Sequence, residues 1–189
     1  MDGGASSTNS MIKDNDVIRS LIAALIEGLT ESGIENPIVQ QTAQIRQQGV
    51  PLQDAFFIDR VSAKRYGFTG RKQEYRSESD DFLATESRII ERVYQISTLA
   101  IEDVNNTEAN TAFDLAEIAA AVIESQPFRD KIYIDGLQVY RITDIRTPYI
   151  VNDMDNHQLS PSFDFTITYC NELTHTINPA EVIGKTHKI

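Results

Sequence analysis

Residues 162–170 read SFDFTITYC, in which Phe163, Phe165, Ile167 and Tyr169 alternate strictly with Asp164, Thr166, Thr168 and Cys170. Only an extended strand, whose side chains point to opposite faces in turn, sorts such a run into one apolar and one polar row. The segment predicts a sheet with one face on a core and the other face wet. The rest of the chain must then supply something that covers the apolar row.

Two segments have the periodicity to do so. In DNDVIRSLIAALIEGLTESG, Val17, Ile18, Leu21, Ile22, Leu25, Ile26 and Leu29 recur at spacings of three and four, giving a helix with one broad apolar face. Asp14, Asn15 or Asp16 is its expected N-cap and Gly33 its stop. In NTAFDLAEIAAAVIESQPF, the side chains Ala112, Leu115, Ala116, Ile118, Ala119, Val122 and Ile123 share an arc of roughly 160° at 100° per residue. Asn110 or Thr111 is placed to cap this second helix, Asp114 lies in its first turn where the dipole favours an anion, and Pro127 is expected to close it. Its alanines imply a close approach to a sheet.

Period-two patterns fill much of the remainder. IVQQTAQIR, with Val39, Ala43 and Ile45 on one parity, reads as a strand, as does DAFFIDRVSAKRYGF. SRIIERVYQISTLAIE is a longer one, in which Ile90, Tyr94, Ile96 and Ala100 alternate with Ile89, Val93, Leu99 and Ile101, so burial on both faces is expected over part of it. KIYIDGLQVYRITDIR holds two strand-like runs about Asp135 and Gly136, a pair suited to a tight turn or a bulge. Because turns join these strands far more often than helices do, the expected fold is α+β, a largely antiparallel sheet flanked by two main helices. Residues 1–13, rich in Gly, Ser, Asn and Thr, read as a flexible arm, 14–172 as the folded domain, and 173–189 as a polar C-terminal extension.

Charge is distributed unevenly. The chain carries a formal net charge of −11, yet residues 60–76, RVSAKRYGFTGRKQEYR, gather Arg60, Lys64, Arg65, Arg71, Lys72 and Arg76 against the single acid Glu74. Tyr66, Phe68 and Tyr75 are interleaved with them, and Glu78, Asp80 and Asp81 follow. This stretch lies between two strands, so with the acidic residues to 81 it forms a long hairpin arm or loop of roughly 20 residues, within a hairpin of about 60–88, which compact domains rarely carry without a use. Aromatics mixed with Arg suit a protein interface. They also suit bases stacked in single-stranded nucleic acid, which leaves a small nucleic-acid-binding module as the alternative. A basic half followed by an acidic half is further able to pair head to tail with a neighbouring copy.

Other function classes lose ground. Wrapping of duplex DNA needs a broad basic face, which a chain of charge −11 lacks. Glu91, Asp103, Asp135 and Asp144 have no spacing that forces two carboxylates together, and NDMDNHQLSPSF departs from a calcium loop because Gln158 stands where the turn glycine belongs. His157, His175 and His187 with one Cys170 do not form a zinc pattern, and no nucleophile elbow or phosphate loop occurs. The chain is expected not to be an enzyme and to need no cofactor. Cys170 reads as a partly buried structural thiol, in keeping with a reducing compartment. Neither a leader pattern nor a run of roughly 20 apolar residues appears, so no membrane association is expected.

The phrases FFIDRVSAKRYGFTGRKQEY, IIERVYQISTLAIED, TAFDLAEIAAAVIES and DGLQVYRITDIRTPYIVNDMDNHQLSPSFDFTITY together resemble the neck proteins of contractile-tailed bacteriophages, the tail-terminator-like or gateway family, over roughly residues 14–172. The resemblance implies a structural virion protein, assembled in the host cytoplasm, whose subunits close into a ring, a hexamer. Such a ring caps the tail tube, meets the collar or head–tail connector above and the tube or sheath below, and surrounds a channel through which genomic DNA passes without specific binding. It makes the 60–81 arm a candidate for intersubunit or tail contacts.

Overall fold

The alternating segment is an inner strand of the sheet, between its central strand and one edge. The computed structural model describes residues 9–10, 12–41, 54–100, 106, 108–132, 136–147, 149–151 and 157–177. In chain order the elements are β1 (Asn9–Ser10), α1 (Asp14–Glu31), β2 (Ile38–Gln40), β3 (Ala55–Arg76), β4 (Asp81–Leu99), α2 (Ala112–Glu124), α3 (Gln126–Lys131), β5 (Gln138–Ile142), β6 (Tyr149–Val151), β7 (His157–Leu159) and β8 (Ser162–Ile177). The main sheet runs β1-β8-β4-β3-β2, with β5 also on β8, and only the β2–β3 pair is parallel. β6 and β7 pair as a separate ribbon. The fold is α+β and mostly antiparallel, as the patterns require.

One face of the sheet carries the core. Phe163, Phe165, Ile167 and Tyr169 of β8 are buried together with Phe56 and Ile58 of β3, Tyr94 and Ile96 of β4, and the apolar faces of α1 and α2. Register explains the grouping: Ile58 lies opposite Ile96, which lies opposite Phe163, and Tyr94 lies opposite Phe165, so the apolar rows of three strands merge into one surface. Thr98, on the same row, is fully buried and donates its hydroxyl to the Ala112 carbonyl at 2.6 Å, fixing the start of α2 on β4. α1 crosses α2 so closely that a Cβ at Gly28 would overlap Val122.

Local details depart from the sequence reading in four places. The N-cap of α1 is Lys13, with no side-chain cap, because the carboxylate of Asp14 turns to guanidinium groups on the sheet. Pro127 does not simply close α2: the helix breaks at Ser125, whose hydroxyl accepts from Phe128 N–H, and Pro127 lies in the first turn of α3, where a missing N–H costs nothing. β4 buries Tyr94 and Ile96 on one face while Ile89 on the other is exposed, so the mixed parity marks a half-covered second face. Cys170 is exposed, since its parity is that of the wet face, opposite Tyr169. Thr111 caps α2 as expected, in a reciprocal box where Asp114 N–H donates to Thr111 Oγ1 and Thr111 N–H to Asp114 Oδ2 at 2.8 Å. Hydrogen bonds to the carboxylate from the Thr111 hydroxyl first, and from the Thr111 N–H, hold the Asp114 carboxyl below its ordinary value.

Asp103, Asp135, Ala43, Ile45, Ile101, His187, most of residues 1–13 and residues 152–156 lie outside the described residues. So does the chain after Ile177, although β8 itself pairs with β4 through to Phe82–Ile177, beyond the point where the sequence turns polar. No helix among the described residues is long and apolar enough to cross a membrane.

Candidate subunit interface

Residues 60–88 form a hairpin continuous with the sheet, not a loop. β3 runs unbroken from Ala55 to Arg76, turns through residues 77–80 with Asp80 at φ 51°, and returns as β4. The outer half of β8 pairs with β4 from Arg88–Asn171 to Phe82–Ile177, so the arm is a three-stranded blade, to which β1 adds two residues opposite Glu172 and Leu173. β2 covers β3 only at residues 55–57, which leaves the outer edge of β3 open along the blade among the described residues. Two irregularities punctuate that edge, at Val61 and at Gly67–Thr69. Gly67 takes φ +74°, a conformation costly for other residues, and the bulge it starts throws Phe68 wholly into solvent, 100% exposed. Bulges and basic side chains on an open edge hinder indiscriminate strand pairing.

Side-chain geometry divides the charged residues into three groups. At the base, Arg60 meets Asp14 at 2.6 Å, Arg92 meets the same carboxylate, and the Tyr94 hydroxyl donates to it at 3.3 Å. The Arg92 guanidinium also lies over the Tyr169 ring, 5.1 Å from its centroid. Burial pushes the Tyr94 phenol up to about 12 and raises that of Tyr169. The arm is thereby tied at its root to the first turn of α1.

At the tip, charge is consumed internally. Arg76 grips Asp81 with two hydrogen bonds of 2.8 and 2.7 Å, Tyr75 donates to Asp80 at 2.7 Å, Arg71 pairs with Glu86 at 3.2 Å and Lys72 with Glu74 at 3.1 Å. The Arg76 bond holds the Asp81 carboxyl down, and the Asp80 carboxylate raises the Tyr75 phenol. The Tyr75 ring packs on Phe82 with centroids 5.2 Å apart. Glu78 is exposed in the turn.

Between root and tip lies the third group. Lys64 and Arg65 have no ion-pair partner among the described residues, and beside them Tyr66 is 65% exposed and Phe68 protrudes. Arg65 also lines a groove of about 320 Å³ with Thr69, Arg88, Ile90, Asn171 and Leu173. There Arg88 donates to Thr69 Oγ1 at 2.8 Å, while its Nε and Asn171 Oδ1 are buried without a partner among the described residues. Sequence reasoning found most of the arm's own residues but missed Arg88 at its inner end, and Asp14, Arg92 and Asn171, which meet it from outside residues 60–88.

A family model described as the E217 gateway protein gp29 matches residues 16–179, from the first turn of α1 to just past β8 and through the whole arm. The chain belongs to this family. It is a phage gateway, or neck, protein family, structural and not enzymatic, and membership implies a place at the head–tail junction among other phage head–tail proteins. No match is found among curated proteins.

Proposed function

We propose that the chain forms a ring, a hexamer, at the head–tail junction, capping the tail tube, joining it to the collar or connector and surrounding the DNA exit channel. The observation that carries this reading is the blade: a rigidly rooted extension of the sheet whose open edge, unpaired cations and protruding Phe68 have no use within one subunit. A chain of net charge −11 suits a channel wall, because like charge lets DNA slide without being held. The parts of the chain before β1 and after β8 are then extensions available to neighbouring rings.

A second reading keeps one specific support. Lys64 and Arg65 beside Tyr66 and Phe68 are the elements of a single-strand binding site, which would bind DNA in a strongly salt-dependent way.

Light scattering and negative-stain imaging of the chain alone, and then mixed with tail tubes, test the proposal. Six-fold rings, or discs on tube ends, are the expected result. A chain that stays monomeric at every concentration and never joins tubes overturns it.

A further inference from the structure

A ring of identical subunits needs two different surfaces that fit each other, since a head-to-tail contact joins one patch to another on the next copy. The blade supplies one patch along the open edge of β3, about 13 Å long: Lys64 and Tyr66 leave one face of the strand, Arg65 leaves the other, and Phe68 protrudes from the bulge beside them. The other must be acidic, must offer apolar contact to an aromatic knob, and must have charges not already used.

The outer face of α2 meets all three conditions. Phe113, Glu117 and Glu124 fall within an arc of about 40° on this helix, opposite the buried Leu115, Ala119 and Val122. Phe113 is 41% exposed although it is large and apolar, and α2 contains no basic residue. Glu117 and Glu124 have no ion-pair partner among the described residues. From Phe113 to Glu124 the stripe is about 16 Å long, which matches the reach of the blade patch.

We infer that the unpaired basic and aromatic edge of the blade docks on the outer face of α2 of a second copy of this chain, Lys64 and Arg65 meeting Glu117 and Glu124 and Phe68 packing beside Phe113. This rests on the ring reading above and names the two surfaces that close it. The occupant is a second copy because the two patches complement each other in charge, length and aromatic character. Arg60, Arg71, Lys72 and Arg76 play little part, being paired within their own subunit.

Charge exchange tests the contact on the full chain. One variant carries Lys64→Glu with Arg65→Glu, the other Glu117→Lys with Glu124→Lys. Each alone is expected to associate about tenfold more weakly or worse, because like charges then face each other. At concentrations low enough that the parent is monomeric, thermal midpoints should stay within about 2 °C of it, as exposed changes away from packed features cost little. Mixing the two variants restores association, since every contact in an alternating ring again joins opposite charges. Rings that survive both reversals, or variants that fail to rescue each other, overturn the inference while leaving the ring intact. A parent chain that neither self-associates nor joins tubes overturns the ring reading first. If the arm variant assembles normally but loses salt-sensitive binding to a single-stranded oligonucleotide, the edge is a nucleic-acid site instead.

Discussion

Asp14 illustrates how little of a residue's role its local sequence declares. By position it is an ordinary cap candidate, with Asn15 and Asp16 beside it. Its carboxylate instead accepts from Arg60, Arg92 and Tyr94, three residues far along the chain, and so sets the root of the blade against α1. Leaving Arg92 and Tyr94 without that acceptor strands partly buried donors, which costs more than the net worth of the bonds themselves. Tyr94 provides a measurable consequence. Its phenol ionises near 10 in an unfolded chain but only at about 12 in the folded one, where burial is the main cause. The folded state therefore keeps its proton longer. The contribution is fully present below pH 10 and is lost as pH rises toward 12. Thermal midpoints measured from pH 9 to 12 should fall more steeply for the parent than for Tyr94→Phe, which has no proton to lose. Parallel curves would show that Tyr94 does not couple ionisation to folding.

Among the elements, the helices were the most legible, because a 3.6-residue repeat needs no knowledge of partners. Val17, Leu21 and Leu25 face the core in α1 as their spacing demands, though Ile26 at the margin of that face is exposed, and the arc of α2 is buried except for the half-buried Ile118. β8 was equally plain from strict alternation. What could not be seen was long-range. Nothing near residue 172 announces that β8 continues as the third strand of the blade, since that pairing is set by β4, and Cys170 was misjudged because parity outweighs its residue type. Gly28 shows the same limit: in a helix, glycine is ordinarily a loss relative to alanine, yet here it admits Val122 of α2. Gly28→Ala should accordingly lower stability by about 1–3 kcal/mol through overpacking, against its better helix propensity. Trimming the neighbour, in Gly28→Ala with Val122→Ala, should recover part of that loss in chemical denaturation. A stabilised single variant would mean that the two helices have room to part.

At the scale of the whole molecule, the chain divides into a body and a blade that differ in how they are held. The body buries large side chains from both helices and three strands in one cluster, including Phe56, Tyr94, Leu115 and Phe165. The blade beyond Tyr66 has little such cover: apart from Ala84, its side chains are exposed or half-buried, and its pairs are surface ion pairs of small individual worth. Hydrogen exchange protection follows buried contact and paired backbone, so it should be highest in β8 and β4 around Phe165 and Tyr94. It should fall outward along the blade, and the open edge of β3 should exchange fastest because its outward amides have no strand beside them. The informative comparison is between the free chain and assembled rings. If the blade edge is covered by a neighbour, amides of residues 64–72 should slow on assembly together with those in the outer turns of α2, while exchange in the body stays as it was. Protection confined to other surfaces, with residues 64–72 exchanging as rapidly as in the free chain, would show that the blade points away from the ring contact and serves the tube or the collar.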